Sequence, residues 1–252
     1  MIEKNSKDAD IESIKPVSVL VPVYNEAETV ASMISELYDE VGSKIPVEVV
    51  VAEDGSTDGT KEILRDLAEE IPLKLIMDDR RKGYMGGVKD GLRHVSSEYI
   101  FFMDSDGQHM PSDFWKLYEK RHEYDLIIGK KIRRRDPFHR LFISTVFHWL
   151  IQLLFRVPVR DPDTGFRIMK HEVLDSVLEE TRILKYSFWT EFTVRAHKKG
   201  FKVGEVSIIH RNRLHGDTRL YKLSKLPSII VSQLIGSFKL ATELKRVQLQ
   251  ER

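Results

Sequence analysis

The chain contains no cysteine. That excludes disulfides and thiolate metal sites, and it suits a reducing compartment. No apolar run reaches the ~18 residues that a membrane-spanning helix needs. The net charge is only +1, so bulk electrostatics give no reason to expect a nucleic-acid partner. Neither an internal repeat nor a low-complexity tract is present. Residues 1–15 are polar and charged, unlike a secretory signal, and are expected to form a mobile tail. What remains is an ordinary soluble composition, 41% hydrophobic and 31% charged over 252 residues. That length holds one large domain, or one domain with an appendage.

The positive charge is unevenly spread. Between Lys130 and Arg160 there are eight Lys or Arg against a single acid, Asp136. Between Arg195 and Lys225 there are nine against two, Glu205 and Asp217. Local fields of this kind attract phosphates or anionic surfaces.

Asp104-Ser105-Asp106 follows the apolar run Tyr99-Ile100-Phe101-Phe102-Met103, which reads as a buried parallel strand. Two carboxylates two residues apart at a strand end point to the same side and can share one hard cation. Gln108 and His109 follow directly and could add a ligand, although His109 suits a packing role better. A cation held by few protein ligands keeps positions for phosphate oxygens. The bland alternative is a polar turn after a strand.

Before this point the chain alternates strands and helices. Strands are expected at 17–23, 47–51 and 73–77, then at 99–103 and 125–129. The helices between them carry the stripes Val30/Met33/Ile34/Leu37, Ile63/Leu64/Leu67 and Val88/Leu92/Val95. Asn25 reads as an N-cap with Glu28 as its capping-box partner. Such alternation calls for a parallel sheet covered on both faces, with ligands outside the carboxyl ends of the strands. Three polar turns fall there: Tyr24-Asn25-Glu26, Glu53-Asp54-Gly55-Ser56 and Asp104-Ser105-Asp106. Residues 80–87 form a basic, glycine-rich loop that could cradle phosphate or serve as a plain turn.

The pattern then changes. Residues 141–155 are densely apolar, with a narrow polar stripe at Ser144, His148, Gln152 and Arg156. This is either a core or dimer-contact helix, or a helix lying in a membrane interface. A loop at 161–167 leads into a short strand. A helix at 189–199 and a strand at 203–209 follow, then a second basic loop at 211–221. The last helix, about 223–246, carries Leu226, Ile229, Ile230, Leu234 and Phe238 at helical spacing. It is a second candidate for the interface.

Together these motifs resemble glycosyltransferase family 2, the inverting GT-A enzymes. The resemblance rests on Val21-Pro22-Val23-Tyr24-Asn25-Glu26, on Glu53 to Thr60 and on Asp104 to His109. The stretch Asp161 to Arg167 and Arg213-x-x-Gly216-x-Thr218-Arg219 look like the dolichyl-phosphate mannosyltransferase branch. The implied fold is α/β: a Rossmann-like, mostly parallel sheet flanked by helices, with C-terminal amphipathic interfacial helices. The catalytic domain would span 16–222 with an interfacial helix inserted at 141–157, and 223–252 would be a C-terminal amphipathic helix.

The resemblance also implies roles. Pro22, Tyr24, Glu26, Glu53 and Asp54 would hold the nucleoside. Asp104, Asp106 and Gln108 would hold Mg2+ or Mn2+ on the donor diphosphate. Arg213 and Arg219 would grip phosphates. Apart from the resemblance, the basic loops beside the apolar helices make Lys131 and Arg140, with Arg213, the residues expected to meet an acceptor phosphate. Glu191 stands where hydroxyl-using relatives place a base, yet it could equally orient a basic residue or cap a turn. The sequence departs from the family pattern at Glu53, at Lys131 and at Thr218-Arg219.

The implied reaction is metal-dependent transfer of a hexose from a nucleotide sugar to dolichyl or polyprenyl phosphate, with GDP-mannose the favoured donor and UDP-glucose next. The expected setting is peripheral, on the cytoplasmic face of a membrane. Two other readings stand beside it. One is a GT-A transferase acting on a soluble saccharide hydroxyl with Glu191 as base. The other is a non-catalytic membrane-docking module, against which the intact Asp104/Asp106 pair argues.

Overall fold

The computed structural model describes residues 16–132, 138–211 and 226–250. One seven-stranded sheet runs in the order β3-β2-β1-β4-β6-β5-β7. Its strands are β1 (Val17–Val23), β2 (Val47–Glu53), β3 (Leu73–Met77), β4 (Tyr99–Met103), β5 (Leu126–Ile132), β6 (Phe166–Lys170) and β7 (Val203–Ile209). The expected strands are all present. Their parallel arrangement holds for β1 with β2 and β4, for β2 with β3, and for β5 with β7. Only β6 runs antiparallel, to β4 on one side and β5 on the other.

The reason lies in the connection. A parallel neighbour needs a crossover back to the opposite edge of the sheet. Here the chain leaves β5, forms α5 (Phe138–Phe155) and re-enters at the same rim. Helix α5 and the loop after it therefore stay at the carboxyl ends of the strands, where the polar turns lie. β7 ends at this rim too, and α8 (Leu226–Gln250) follows.

Alternate strand residues feed two cores, as the period of two requires. Leu20, Val50, Ile100, Phe102 and Ile128 pack on one face with α3 (Tyr84–Leu92), α6 (His171–Val177) and α7 (Phe188–Lys198). Val19, Val21, Val49, Val51 and Phe101 pack on the other with α1 (Val30–Leu37), α2 (Thr60–Glu70) and α4 (Phe114–Tyr118). Gly91 lets α3 lie close on the sheet: a Cβ there would come within 2.4 Å of Leu20 and 2.8 Å of Ala52.

The N-cap expected at Asn25 is not formed. Helix α1 starts at Val30, and Asn25 takes a left-handed φ of 53°. Its N–H donates to Ser56 Oγ at 2.8 Å, and its Oδ1 accepts the Thr57 N–H at 2.8 Å. Asparagine tolerates this conformation and bonds readily to backbone. The residue thus ties the β1 turn to the β2 turn instead of opening a helix. Between β4 and β5 the chain forms a 3-10 turn at Pro111–Asp113 followed by α4, and α6 follows β6 directly.

Candidate active site

The β1 and β2 turns are built by their own polar groups. The Arg81 guanidinium lies 3.9 Å from the Tyr24 ring centroid. Glu26 donates its N–H to Thr60 Oγ1 at 3.0 Å and accepts from Thr29 Oγ1 at 3.1 Å. Pro22 sits in β1 beside Ala52. Glu53 is buried; its Oε1 accepts the Ser56 N–H, and Lys61 Nζ lies 3.6 Å from Oε2. Asp54, also buried, accepts the N–H of Lys82 at 2.6 Å and of Gly83 at 2.8 Å, one on each oxygen. Desolvation outweighs these bonds and pushes the Asp54 carboxyl above its ordinary value. The two acids of the β2 turn thereby shape the loops around them, the basic 80–83 loop included.

The β4 turn is different. Asp104 and Asp106 are only partly covered. Burial and the neighbouring Asp106 charge lift Asp104 to about 7, against the pull of Lys131, Tyr84 and Arg167. Asp106 Oδ1 accepts the Gln108 N–H at 3.1 Å. The Gln108 amide reaches the Arg211 carbonyl at 3.4 Å, and the Arg211 N–H returns a bond to the Gln108 carbonyl at 2.8 Å. The 108–110 segment is thus laced to the end of β7, where the second basic loop begins.

A hard divalent ion fits this donor set. Two carboxylates whose charges oppose each other gain from a cation between them, and carboxylate and amide oxygens are the ligands such ions prefer. Among the described residues no group of three or more His, Cys, Asp or Glu could hold a metal. An ion here would take the rest of its shell from Gln108 and from substrate.

Residues to which the sequence assigned no individual role surround Asp104. Gly165 lies against Asp104 so closely that a Cβ would fall 1.8 Å from Oδ2. The Asp104 N–H donates to the Gly165 carbonyl at 3.0 Å. Tyr84 and Trp189 bond in series to Asp104. Arg167 is fully buried, its guanidinium 4.1 Å from the Trp189 ring and bonded to the carbonyls of Pro162 and Thr164. Desolvation lowers it to about 10, opposed chiefly by Asp163. Asp163 accepts the Thr190 N–H at 3.2 Å in the first turn of α7, and burial raises it to about 6.

Lys131 is near enough for its charge to oppose the rise at Asp104 and to add to the lowering at His109. His109 is buried, 5.1 Å from the Phe166 ring, and desolvation holds it well below the usual histidine range. Arg213 and Arg219 lie outside the described residues, as does the side chain of Arg140 in α5.

Glu191 sits in α7 with no exposed surface. Its oxygens accept the N–H groups of Arg182 at 3.0 Å, Ile183 at 2.6 Å and Leu184 at 2.7 Å. They also pair with Arg195 at 2.8 Å, and Arg195 in turn meets Glu243 of α8 at 2.8 Å. Every strong acceptor direction of this carboxylate is occupied by structure.

Ser144, His148 and Gln152 on the polar stripe of α5 are half-buried, while Arg156 lies past its end and is exposed. Gln152 donates to the Val159 carbonyl, and His148 lies 3.8 Å from Asp161. The apolar residues Val146, Trp149 and Leu153 are outside, at 50%, 65% and 61% exposure. Helix α8, which touches α5, does the same with Val231, Leu234, Ile235 and Phe238. Its inner side is held by Gln233 bonded to Ser187 Oγ at 2.5 Å and by buried Leu240. No helix among the described residues is long and apolar enough to cross a membrane.

A family model described as "Glycosyl transferase family 2" matches residues 18–178. A dolichol-phosphate mannosyltransferase from Pyrococcus furiosus is 30% identical over 212 residues, which are 81% of this chain and 59% of that one. A dolichyl-phosphate beta-glucosyltransferase, ALG5A, from Trichomonas vaginalis is 26% identical over 94% of this chain and 74% of its own length. Among solved structures, glucosyl-3-phosphoglycerate synthase from Mycobacterium tuberculosis, in complex with Mn2+, UDP-glucose and phosphoglyceric acid, superposes with a TM-score of 0.69 at 18% identity. That match covers 90% of this chain and 80% of the other. The likeness shows that the fold is the GT-A one. The chain spans only 59% of the length of the Pyrococcus relative.

Proposed function

The chain belongs to glycosyl transferase family 2, and from that premise we propose that it transfers a hexose, with inversion, from a nucleotide sugar to a polyprenyl or dolichyl phosphate at a membrane surface. GDP-mannose is the first donor to test and UDP-glucose the second, since the two relatives are named for mannosyl and glucosyl transfer. The observation that carries this reading is the saturation of Glu191. A hydroxyl acceptor must lose a proton to a nearby carboxylate. Three backbone N–H groups and Arg195 already occupy the one expected to serve. A phosphate monoester has a second pKa near ~6 and arrives largely as its dianion, so it needs positioning rather than deprotonation.

Asp104, Asp106 and Gln108 would hold Mg2+ or Mn2+, which when bound would neutralise charge growing on the departing diphosphate. Tyr24, with Arg81 across its ring, and the turns built by Glu26, Glu53 and Asp54 would bind the nucleoside. Lys131, already within the field of Asp104, would meet the acceptor phosphate together with Arg140, Arg213 and Arg219. The outward apolar faces of α5 and α8 would rest on the bilayer, on its cytoplasmic leaflet, and bring the lipid's phosphate to the rim.

A screen of GDP-mannose and UDP-glucose against a short polyprenyl phosphate, with Mn2+ or Mg2+, tests the reading. Lipid-linked hexose is the expected product. Turnover with a soluble saccharide and none with lipid phosphate would overturn it. No transfer and no donor hydrolysis with either metal would point to a docking module.

A further inference from the structure

Tyr84 joins the base-side turn to the metal-side turn. Asp54 pins the N–H groups of Lys82 and Gly83, and the next residue, Tyr84, opens α3 and reaches across to β4. Its hydroxyl lies 2.9 Å from Asp104 Oδ1 and 3.0 Å from Trp189 Nε1. The direction of both bonds follows from chemistry. An indole nitrogen only donates, so the hydroxyl accepts from Trp189, and its single proton is committed to Asp104.

Trp189 has no room to turn. It is buried with its ring 4.4 Å from Phe102, 5.4 Å from Phe192 and 4.1 Å from the Arg167 guanidinium. Asp104 is confined on its other oxygen by Gly165. We infer that Tyr84 is a positioning residue: it holds the Asp104 carboxylate in the orientation that binds the divalent ion, with Trp189 fixing the direction of its proton. The inference rests on the metal reading of Asp104 and Asp106. Outer partners of this type change metal affinity without touching the ion.

The test is Tyr84→Phe, which removes the hydroxyl and keeps the ring of a residue that is 38% exposed. Free Mn2+ is titrated with metal-free protein and followed by electron paramagnetic resonance. Dissociation constants are compared for wild type, Tyr84→Phe and Asp104→Asn. The expected result is a ~10–100-fold weaker Mn2+ constant in Tyr84→Phe, measured on protein whose circular dichroism spectrum matches wild type. In turnover, the Mn2+ concentration for half-maximal rate should rise, while kcat at saturating Mn2+ recovers. A merely structural role would lower kcat at every Mn2+ concentration.

If Asp104→Asn loses Mn2+ and Tyr84→Phe binds it like wild type, the role of Tyr84 is overturned and the metal site stands. If Asp104→Asn is indistinguishable from wild type, the metal reading itself fails and this inference falls with it.

Discussion

The surroundings of Glu191 and of Asp104 make an instructive pair. Glu191 lies within α7 and is fully buried, whereas Asp104 follows β4 and is only partly covered. Glu191 receives three backbone N–H groups and a buried guanidinium. Asp104 receives the Tyr84 hydroxyl on one oxygen, faces a second acid, and is pushed to about 7. A buried carboxylate with all its bonds made is part of the frame. One held next to a like charge costs stability in the resting protein, and proteins keep such arrangements where a ligand repays them. The difference separates scaffold from site.

The sharpest break of that comparison is Glu191→Gln. Leaving Arg195 without its main partner should cost about 3 kcal/mol of folding stability, read by denaturant unfolding, while the folded fraction keeps its turnover with lipid phosphate. A variant with normal stability and no turnover would instead make Glu191 a base. Next comes Asp106→Asn, which should lower transfer by ~10²–10³-fold with an unchanged circular dichroism spectrum. A smaller effect is expected on the lipid side. Replacing Trp149, Leu153, Ile235 and Phe238 by serine should weaken sedimentation with anionic vesicles by roughly ten- to a hundredfold. Turnover with a water-soluble short-chain acceptor should survive, because these side chains already face outward.

The smallest effect is in pH, and the two regions should respond with opposite sign. Asp104 is an acid whose folded value, about 7, stands above its unfolded one. The native state therefore holds a proton there that the unfolded state has lost, and stability falls as pH climbs from about 4 to about 7. Asp104→Asn should accordingly gain stability relative to wild type as pH rises towards 8, and the gain should vanish near pH 4. Glu243 is the reverse case, held below its ordinary value by Arg195 despite desolvation. Its support of α8 is present above the unfolded glutamate range and is lost as pH falls through its lower folded value. Hydrogen exchange of α8 amides on acidification checks that sign.

Much of this was legible from residue order, and the reasons are local. A β-branched or aromatic run followed by an acidic turn announces a strand end, so the turns at 24–26, 53–56 and 104–106 could be placed on one rim. The Asn25 cap failed because its partners, Ser56 and Thr57, come from another turn. The stripe on α5 was visible, but periodicity does not say which side faces inward. The bonds of Gln152 and His148 to the 159–161 loop do. Tyr84 and Trp189 are 105 residues apart and share no pattern, so their series of bonds to Asp104 emerges only when the sheet brings α3 and α7 together. The antiparallel β6 follows from a connection that turns back at the rim, which no strand propensity encodes.

The most direct measurement is transfer of labelled hexose from GDP-mannose or UDP-glucose to polyprenyl phosphate in vesicles with Mn2+. It compares wild type with the Asp104→Asn, Asp106→Asn double variant. The account predicts lipid-linked product from wild type, loss of that product on chelating the metal, and none from the double variant. Undiminished product from the double variant would contradict it.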